Sequence, residues 1–227
     1  ITFNQTTGAT ETIDVTTASI DLSAINAGAN LVGLDVIAIA DGLTATMLGS
    51  QVTGLTLAVN GAAGGGTETL ALTGTTSADT IDLTNVTLTN AVVTVATGAG
   101  NDIIKAAPAG GTITAGAGAD TITAGAGADK IVIGSTDSGI TVATADTINA
   151  FKTAGADTLS LGLAGSTTAD ATENYGEAVA AVASFDAALT AANNALAVLN
   201  GNSVTTAAKL YNFQWDATNG YLFVDTN

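Results

Sequence analysis

Three aspartates occupy the same place in three short glycine-rich runs. They are Asp102 in Gly98-Ala99-Gly100-Asn101-Asp102, Asp120 in Gly116-Ala117-Gly118-Ala119-Asp120, and Asp129 in Gly125-Ala126-Gly127-Ala128-Asp129. Two residues after each stands an isoleucine: Ile104, Ile122 and Ile131. Carboxylates brought together at turns suit a hard cation that takes oxygen ligands at about 2.3–2.6 Å. Ca2+ fits such a set better than Mg2+, which keeps its waters and demands a stricter octahedron. With no His and no Cys in the chain, zinc and copper are poor candidates by ligand type.

The spacing that carries these residues is nine. Residues 97–132 divide into TGAGNDIIK, AAPAGGTIT, AGAGADTIT and AGAGADKIV. The eighth position is Ile104, Ile113, Ile122 and Ile131 without exception, and Val95, Val86 and Ile140 extend that register outward. The second row has Gly111 where the others have Asp, so it offers no side-chain ligand. A G-x-G-x-D run needs backbone angles that glycine adopts cheaply, and so predicts a tight turn with inward carbonyls. The x-Ile-x that follows predicts a very short strand with Ile pointing into a core. Two nonapeptides then complete one circuit, and residues one circuit apart stack about 4.8 Å from each other. This places Asp102 beside Asp120 on one edge. On the opposite edge it places Asp129 beside Gly111 in the circuit before and near Asp146 in the circuit after. Carboxylates so apposed do not both stay ionised without a counter-charge.

This tandem resembles the RTX (repeats-in-toxin) family, whose repeat is G-G-x-G-x-D-x-U-x with U a large aliphatic residue. The resemblance covers mainly 97–132, with a weaker extension to about 161; the first Gly of the family pattern is Thr or Ala here. It implies Ca2+ as the ion. The ligand set it implies is Gly98, Gly100, Asn101, Asp102, Gly116, Gly118, Asp120, Gly125, Gly127, Asp129, Asp146 and Asp157. Asp146-Thr-Ile148-Asn-Ala-Phe151, followed by Gly155-Ala-Asp157-Thr-Leu159-Ser-Leu161, is similar to the segment that ends many RTX rolls. The Leu210–Asp225 stretch is similar to the cap that follows in type I secreted proteins. In that family a secretion signal lies near the C-terminus, and in a chain that stops at Asn227 the expectation is a partial one. Ser77-Ala-Asp79-Thr-Ile81-Asp82-Leu83 also resembles a roll strand, although it lies outside the nine-residue register; it opens the roll or binds another ion.

The remaining elements must hold these turns in place. Residues 1–85 alternate short β-branched runs (Leu31–Ala40, Val52–Val59, Thr69–Leu72) with Gly, Asn and Asp, which predicts a strand-rich stack, and Gly64–Gly66 is expected to be a loop. Glu173–Asn200 is Ala-rich, with Val179, Val182, Phe185, Leu189, Leu196 and Leu199 at near-helical spacing, and Gly201 is a plausible stop. Lys209–Gln214 and Tyr221–Asp225 are expected to form two strands joined through an Asn219-Gly220 turn. The fold class is therefore all-β: a parallel β-solenoid with an RTX β-roll and a small C-terminal α+β cap. The expected divisions are a Thr/Ala-rich solenoid at 1–85, the calcium roll at 86–161 and the cap at 162–227.

Composition narrows the function classes. The 227 residues carry 20 acidic groups against four lysines, a net charge of −16. That opposes nucleic-acid binding, which needs a basic footprint, and anchoring to anionic lipid. No apolar run reaches the ~18 residues of a membrane span, and no signal peptide stands at the start, so the chain is expected to be a piece of something longer. The absence of Cys rules out disulfides and suits export. Catalysis finds little footing: Ser-His-Asp and Cys-His arrangements need residues that this chain lacks. Thr136-Asp137-Ser138-Gly139 has no base to serve its serine, and a glycosidase carboxylate pair would have few aromatics beside it. The Gly-Ala runs lack the third glycine of a dinucleotide loop and the G-K-[ST] of a P-loop. Silk-like packing does not explain an Asp every nine residues.

The expectation is thus a non-enzymatic, secreted, calcium-dependent structural protein. The resemblance and composition together point to a bacterial surface-layer protein, with calcium ions, further copies of itself in a surface lattice, and the type I secretion machinery as partners. The alternative is a secretion and folding module of an extracellular hydrolase, toxin or adhesin.

Overall fold

The computed structural model describes residues 10–25, 29–134, 137–139, 141, 143–151, 156–161, 175–177, 180–201, 211–215 and 220–224. The chain divides into two compact units, Ile1–Gly162 and Leu163–Asn227.

In the first unit every strand pairing is parallel, because the chain passes from one sheet to the other and back before it meets itself. Seven strands make the long sheet: Ile20–Asp21, Thr44–Leu48, Glu68–Thr73, Ala91–Ala99, Thr112–Ala117, Lys130–Val132 and Thr158–Ser160, neighbours in that order. Opposite it lie two four-stranded sheets in succession. The first takes Thr12–Val15, Val36–Ile39, Leu57–Gly61 and Val86–Thr89; the second takes Thr80–Asp82, Ile103–Lys105, Thr121–Thr123 and Thr147–Asn149. The seven-stranded sheet crosses residue 85 without interruption. What changes there is the length of the circuit.

The alternation of the sequence explains which face is buried. Val36–Ile39 and Thr44–Leu48 alternate half-buried and buried residues with period two, as pleated strands require. In the centre the expected isoleucines form two facing ladders. Ile81, Ile104, Ile122 and Ile148 stand opposite one another along one sheet. Leu72, Val95, Ile113, Ile131 and Leu159 do so along the other. Ile104, Ile113, Ile122 and Ile131 are all buried, each contributing about 1.5–3 kcal/mol of apolar transfer. Aliphatic ladders can fill so narrow an interior without aromatics.

Several expectations needed revision. Val86 does not extend the Ile104 ladder; that place belongs to Ile81, and Val86 pairs with Leu57 in the neighbouring sheet. Val52 is not in a strand. Gly49–Val52 is a short helical turn, fixed by the buried amide of Gln51. That side chain accepts from the Leu48 amide at 2.7 Å and donates to the carbonyls of Leu22 and Ile25 at 2.9 and 2.8 Å. Ile140 lies outside the described residues.

In the second unit the expected helix is shorter than its Ala-rich window. Tyr175–Glu177 is a strand, and the helix runs Phe185–Gly201. It starts where a cap exists: Ser184 Oγ accepts from the Ala187 amide at 3.3 Å and the Ser184 carbonyl from the Ala188 amide at 2.9 Å. Ala188 and Ala192, one turn apart, are buried; Val179 lies outside the described residues. Tyr211–Trp215 and Gly220–Val224 pair antiparallel as expected, and Tyr175–Glu177 adds a parallel third strand. The Asn219 turn position, Lys209 and Asp225 fall outside the described residues. No helix among the described residues is long and apolar enough to cross a membrane.

Candidate metal centre

The nonapeptides make turns because each short strand ends against a glycine-rich corner. Gly98 (φ +104°) and Gly116 (φ +89°) adopt the left-handed backbone that a side chain opposes. Crowding adds to the demand, since a Cβ on Gly116 would collide with the Gly98 carbonyl one circuit earlier. Gly125 and Gly127 correct the expectation that every such glycine is required by its backbone angle. Neither is left-handed; both are required by space, with a Cβ on either colliding with the carbonyls of Ala107 and Ala109. Across the first edge Thr97 Oγ1 donates to the Ala115 carbonyl at 2.6 Å. On the exposed rim the Asn101 carboxamide oxygen accepts from the Ala119 amide at 3.0 Å.

The aspartates form ladders along both edges. On the first edge each carboxylate reaches back to the main chain of its equivalent in the preceding circuit. Asp102 Oδ1 accepts from the Asp79 amide at 2.8 Å, Asp120 Oδ1 from the Asp102 amide at 2.8 Å, and Asp146 Oδ1 from the Asp120 amide at 3.0 Å. On the second edge Asp157 Oδ1 accepts from the Asp129 amide at 3.0 Å, while Asp129 Oδ2 holds the Gly125 amide of its own turn at 2.7 Å. Two expectations change. Asp146 stands in the Asp102–Asp120 column rather than beside Asp129, whose following partner is Asp157. The nine-residue count failed there because the later circuits lengthen from 18 residues to 26 and 28. Asp79 also belongs to the first column, 23 residues before Asp102.

Burial makes this arrangement costly. Asp102, Asp120, Asp129 and Asp157 are each only 1% exposed. One oxygen of each of four carboxylates (Asp102 Oδ2, Asp120 Oδ2, Asp129 Oδ1 and Asp146 Oδ2) is buried without a hydrogen-bond partner. Native interiors seldom leave such an atom alone, because a buried charge without a partner costs several kcal/mol. No lysine of the described residues answers them. Lys105 pairs with Asp82 at 2.8 Å on the outer face, and Lys130 is exposed. The Asp82 carboxyl is held at about 2, chiefly by that Lys105 bond and then by Thr84.

Three of the ladder acids move the other way. Burial pushes Asp146 up to about 6, with the charges of Asp120 and Asp137 adding to it against the Asp120 amide and Ser138. Burial likewise raises Asp120, helped by the charges of Asp102 and Asp137. It raises Asp129, helped by that of Asp157. A group held above its ordinary range by desolvation and like charge is one that a cation would relieve.

The donor set fits a hard cation. Every available ligand atom is an oxygen: the carboxylates, and the turn carbonyls of Gly98, Gly100, Ala107 and Ala109 that face the next circuit. Among the described residues no three acidic side chains converge on one point, so main-chain carbonyls must complete any ligand shell. The sequence places Asp79 in a segment that opens the roll or binds another ion, but outside the nine-residue register and outside the expected ligand set. The signal that finds it is the triplet, not the nonapeptide: Asp79-Thr80-Ile81, Asp102-Ile103-Ile104, Asp120-Thr121-Ile122, Asp129-Lys130-Ile131, Asp146-Thr147-Ile148 and Asp157-Thr158-Leu159. Each puts a carboxylate at a corner and an aliphatic in the core, whatever the circuit length.

No curated protein and no solved structure matches the chain. The family model for the RTX calcium-binding nonapeptide repeat (4 copies) matches residues 110–136, which hold Asp120, Asp129 and the buried Ile113, Ile122 and Ile131. That match supports the RTX resemblance over this segment and indicates Ca2+ as the ion of these turns.

Proposed function

We propose that the chain is a calcium-dependent structural and assembly protein of the bacterial cell surface. In this reading its parallel strands form a β-solenoid whose 18-residue circuits are an RTX-type β-roll. One observation carries it: four buried carboxylate oxygens, stacked in two columns, have no partner.

Bound Ca2+ supplies the positive charge and the oxygen-seeking coordination that such a column needs. Asp102, Asp120, Asp129, Asp146 and Asp157 present the carboxylates. Gly98, Gly100, Gly116, Gly118, Gly125 and Gly127 let neighbouring turns approach closely enough for carbonyls to share the gap, and Asn101 braces the rim. Without a cation, burying the ladder is opposed by its own desolvation and repulsion, so the acidic chain stays loose and suited to export through a type I machinery. Outside the cell the same ladder makes ion binding and folding a single event. A chain with no His and no Cys, and with its acids committed to corners, is non-catalytic in this reading. Its Thr- and Ala-rich composition and long run of circuits support packing of copies into a surface lattice.

Light scattering from chelator to millimolar calcium, with magnesium as control, tests this. Growth into sheets or large particles under calcium alone supports lattice assembly. Compaction to a stable monomer replaces it with a secretion and folding module of a larger exported protein. No response to calcium overturns the reading.

A further inference from the structure

The turn Gly74–Asp79 lacks the glycine spacing of the later turns, with Thr75 in place of their first glycine and Ser77 in place of their second. It nonetheless takes the next place in their stack. The strand it leads into pairs Thr80 with Ile103 and Ile81 with Ile104, and its Asp79 amide donates to Asp102 as the Asp102 amide donates to Asp120. Its carbonyls also fall where theirs do. A Cβ on Gly98 would lie 2.6 Å from the Thr75 oxygen, and one on Gly100 2.8 Å from the Ser77 oxygen. Cβ atoms on Gly116 and Gly118 would meet the carbonyls of Gly98 and Gly100 in the same way. Between the two turns stands Asp102, 1% exposed, with Oδ1 engaged by Asp79 and Oδ2 without a partner.

We infer that a further Ca2+ site lies between turns 74–79 and 97–102, held by Asp102 Oδ2 and the main-chain carbonyls of Thr75 and Ser77. The ion ladder therefore begins one circuit before the first glycine repeat. The inference rests on the calcium reading above and extends it to a turn that neither the nonapeptide spacing nor the family match, at 110–136, includes.

The physical reason is that positions 75 and 77, which contribute only main-chain carbonyls to the gap ahead, need no glycine; the glycine of this turn is Gly74, required by space because a Cβ there would collide with the Thr97 carbonyl. Glycine is needed where a turn lies against the carbonyls of the one before. Hydrogen bonds shape this first turn instead. Asp79 Oδ2 accepts from the Thr75 amide at 2.6 Å and from its hydroxyl at 3.0 Å, and the Ser77 amide donates to Thr75 Oγ1 at 3.1 Å. Asp79 Oδ2 is thus engaged in holding the turn, and Asp102 supplies the buried charge.

Carbonyl 13C resonances of the whole labelled chain, followed from chelator to saturating calcium, test the site. The amides of Glu68–Thr73 report that the neighbouring strand stays folded. Thr75 and Ser77 are expected to respond in the wild type and in Asp120→Asn. In Asp102→Asn their response should be lost or moved to at least about tenfold higher calcium, as for a site stripped of a coordinating or supporting group, while Gly98 and Gly100 still respond. Should Asp102→Asn fail to fold, the wild-type and Asp120→Asn titrations still decide. Static Thr75 and Ser77 beside moving Gly98 and Gly100 would overturn the inference alone. Four static carbonyls would overturn the calcium reading as well.

Discussion

Replacing Asp120 by Asn separates two things its carboxylate does. Oδ1 accepts from the Asp102 amide at 2.8 Å, and an asparagine oxygen can keep that bond. Oδ2 is buried without a partner, and the substitution removes its charge. In chelator the variant therefore escapes a desolvation penalty, which burial and the neighbouring Asp102 and Asp137 impose together, and should melt at the same temperature as the wild type or higher. In calcium it lacks a charged ligand. A site held at 100 times its dissociation constant contributes about 2.7 kcal/mol. For a domain of this size each kcal/mol moves the melting temperature by about 2–4 °C, so the calcium-saturated variant should melt about 5–10 °C below the wild type. Circular dichroism melts of both proteins, in chelator and in millimolar calcium, give the four numbers required. The decisive feature is the change of sign between conditions. An equal loss in both would show that Asp120 is a hydrogen-bonding brace, and the reasoning from its orphaned oxygen would be refuted.

Acidity should substitute in part for the ion. Asp146 has a folded-state pKa of about 6 against an ordinary 3.8, so between those values the folded chain binds more protons than the unfolded one, and stability is lost as pH rises through about 6. Melts in chelator from pH 4 to pH 8 should decline across that window, while melts in saturating calcium should not; a rise with pH in chelator would contradict the burial of these acids. Gly116→Ala combines a φ of +89° with a collision against the Gly98 carbonyl. It should cost about 1–3 kcal/mol, measured by urea unfolding in calcium, and an unchanged midpoint would show that the corner can open.

The central ladders were legible because their chemistry repeats at a fixed count. Ile104, Ile113, Ile122 and Ile131 alternate between two sheets at every ninth residue, and their burial followed from that spacing. The count stopped working where circuits lengthen. Asp146 was assigned to the wrong column because a 26-residue circuit separates it from Asp120, and loop length is not constrained by the pairing of three-residue strands. Val52 was misread for a different reason. Its β-branched side chain suits a strand, but three hydrogen bonds of the buried Gln51 amide impose a helical turn. A local propensity of a few tenths of a kcal/mol does not compete with three hydrogen bonds of a buried side chain at about 1 kcal/mol each. The left-handed glycines were foreseen in kind, yet Gly125 and Gly127 serve packing against Ala107 and Ala109, which is a property of the stack and not of the local sequence.

The same side-chain-to-amide link runs through the earlier circuits without the same consequence. Asp35 Oδ2 accepts from the Glu11 amide at 3.0 Å, 24 residues back, and Glu68 Oε1 from the Gly42 amide at 3.1 Å, 26 residues back. Neither acid has a buried oxygen lacking a partner, and the deepest polar group of that region, Gln51, is neutral with its amide engaged. At the later corners one oxygen of each of Asp102, Asp120, Asp129 and Asp146 reaches an amide while the other is pressed into the gap between turns without a partner, in the 18-residue circuits and, at Asp146, in one of 26. Calcium dependence should therefore be local even though one sheet runs through both regions. Amide exchange in chelator is expected to spare Thr44–Leu48 and Glu68–Thr73 while Thr112–Ala117 and Thr121–Thr123 lose protection, with calcium restoring the latter. Uniform loss along the whole sheet would mean that the early circuits have no stability of their own. The ion would then hold together the entire stack and not only the circuits that bury their acids.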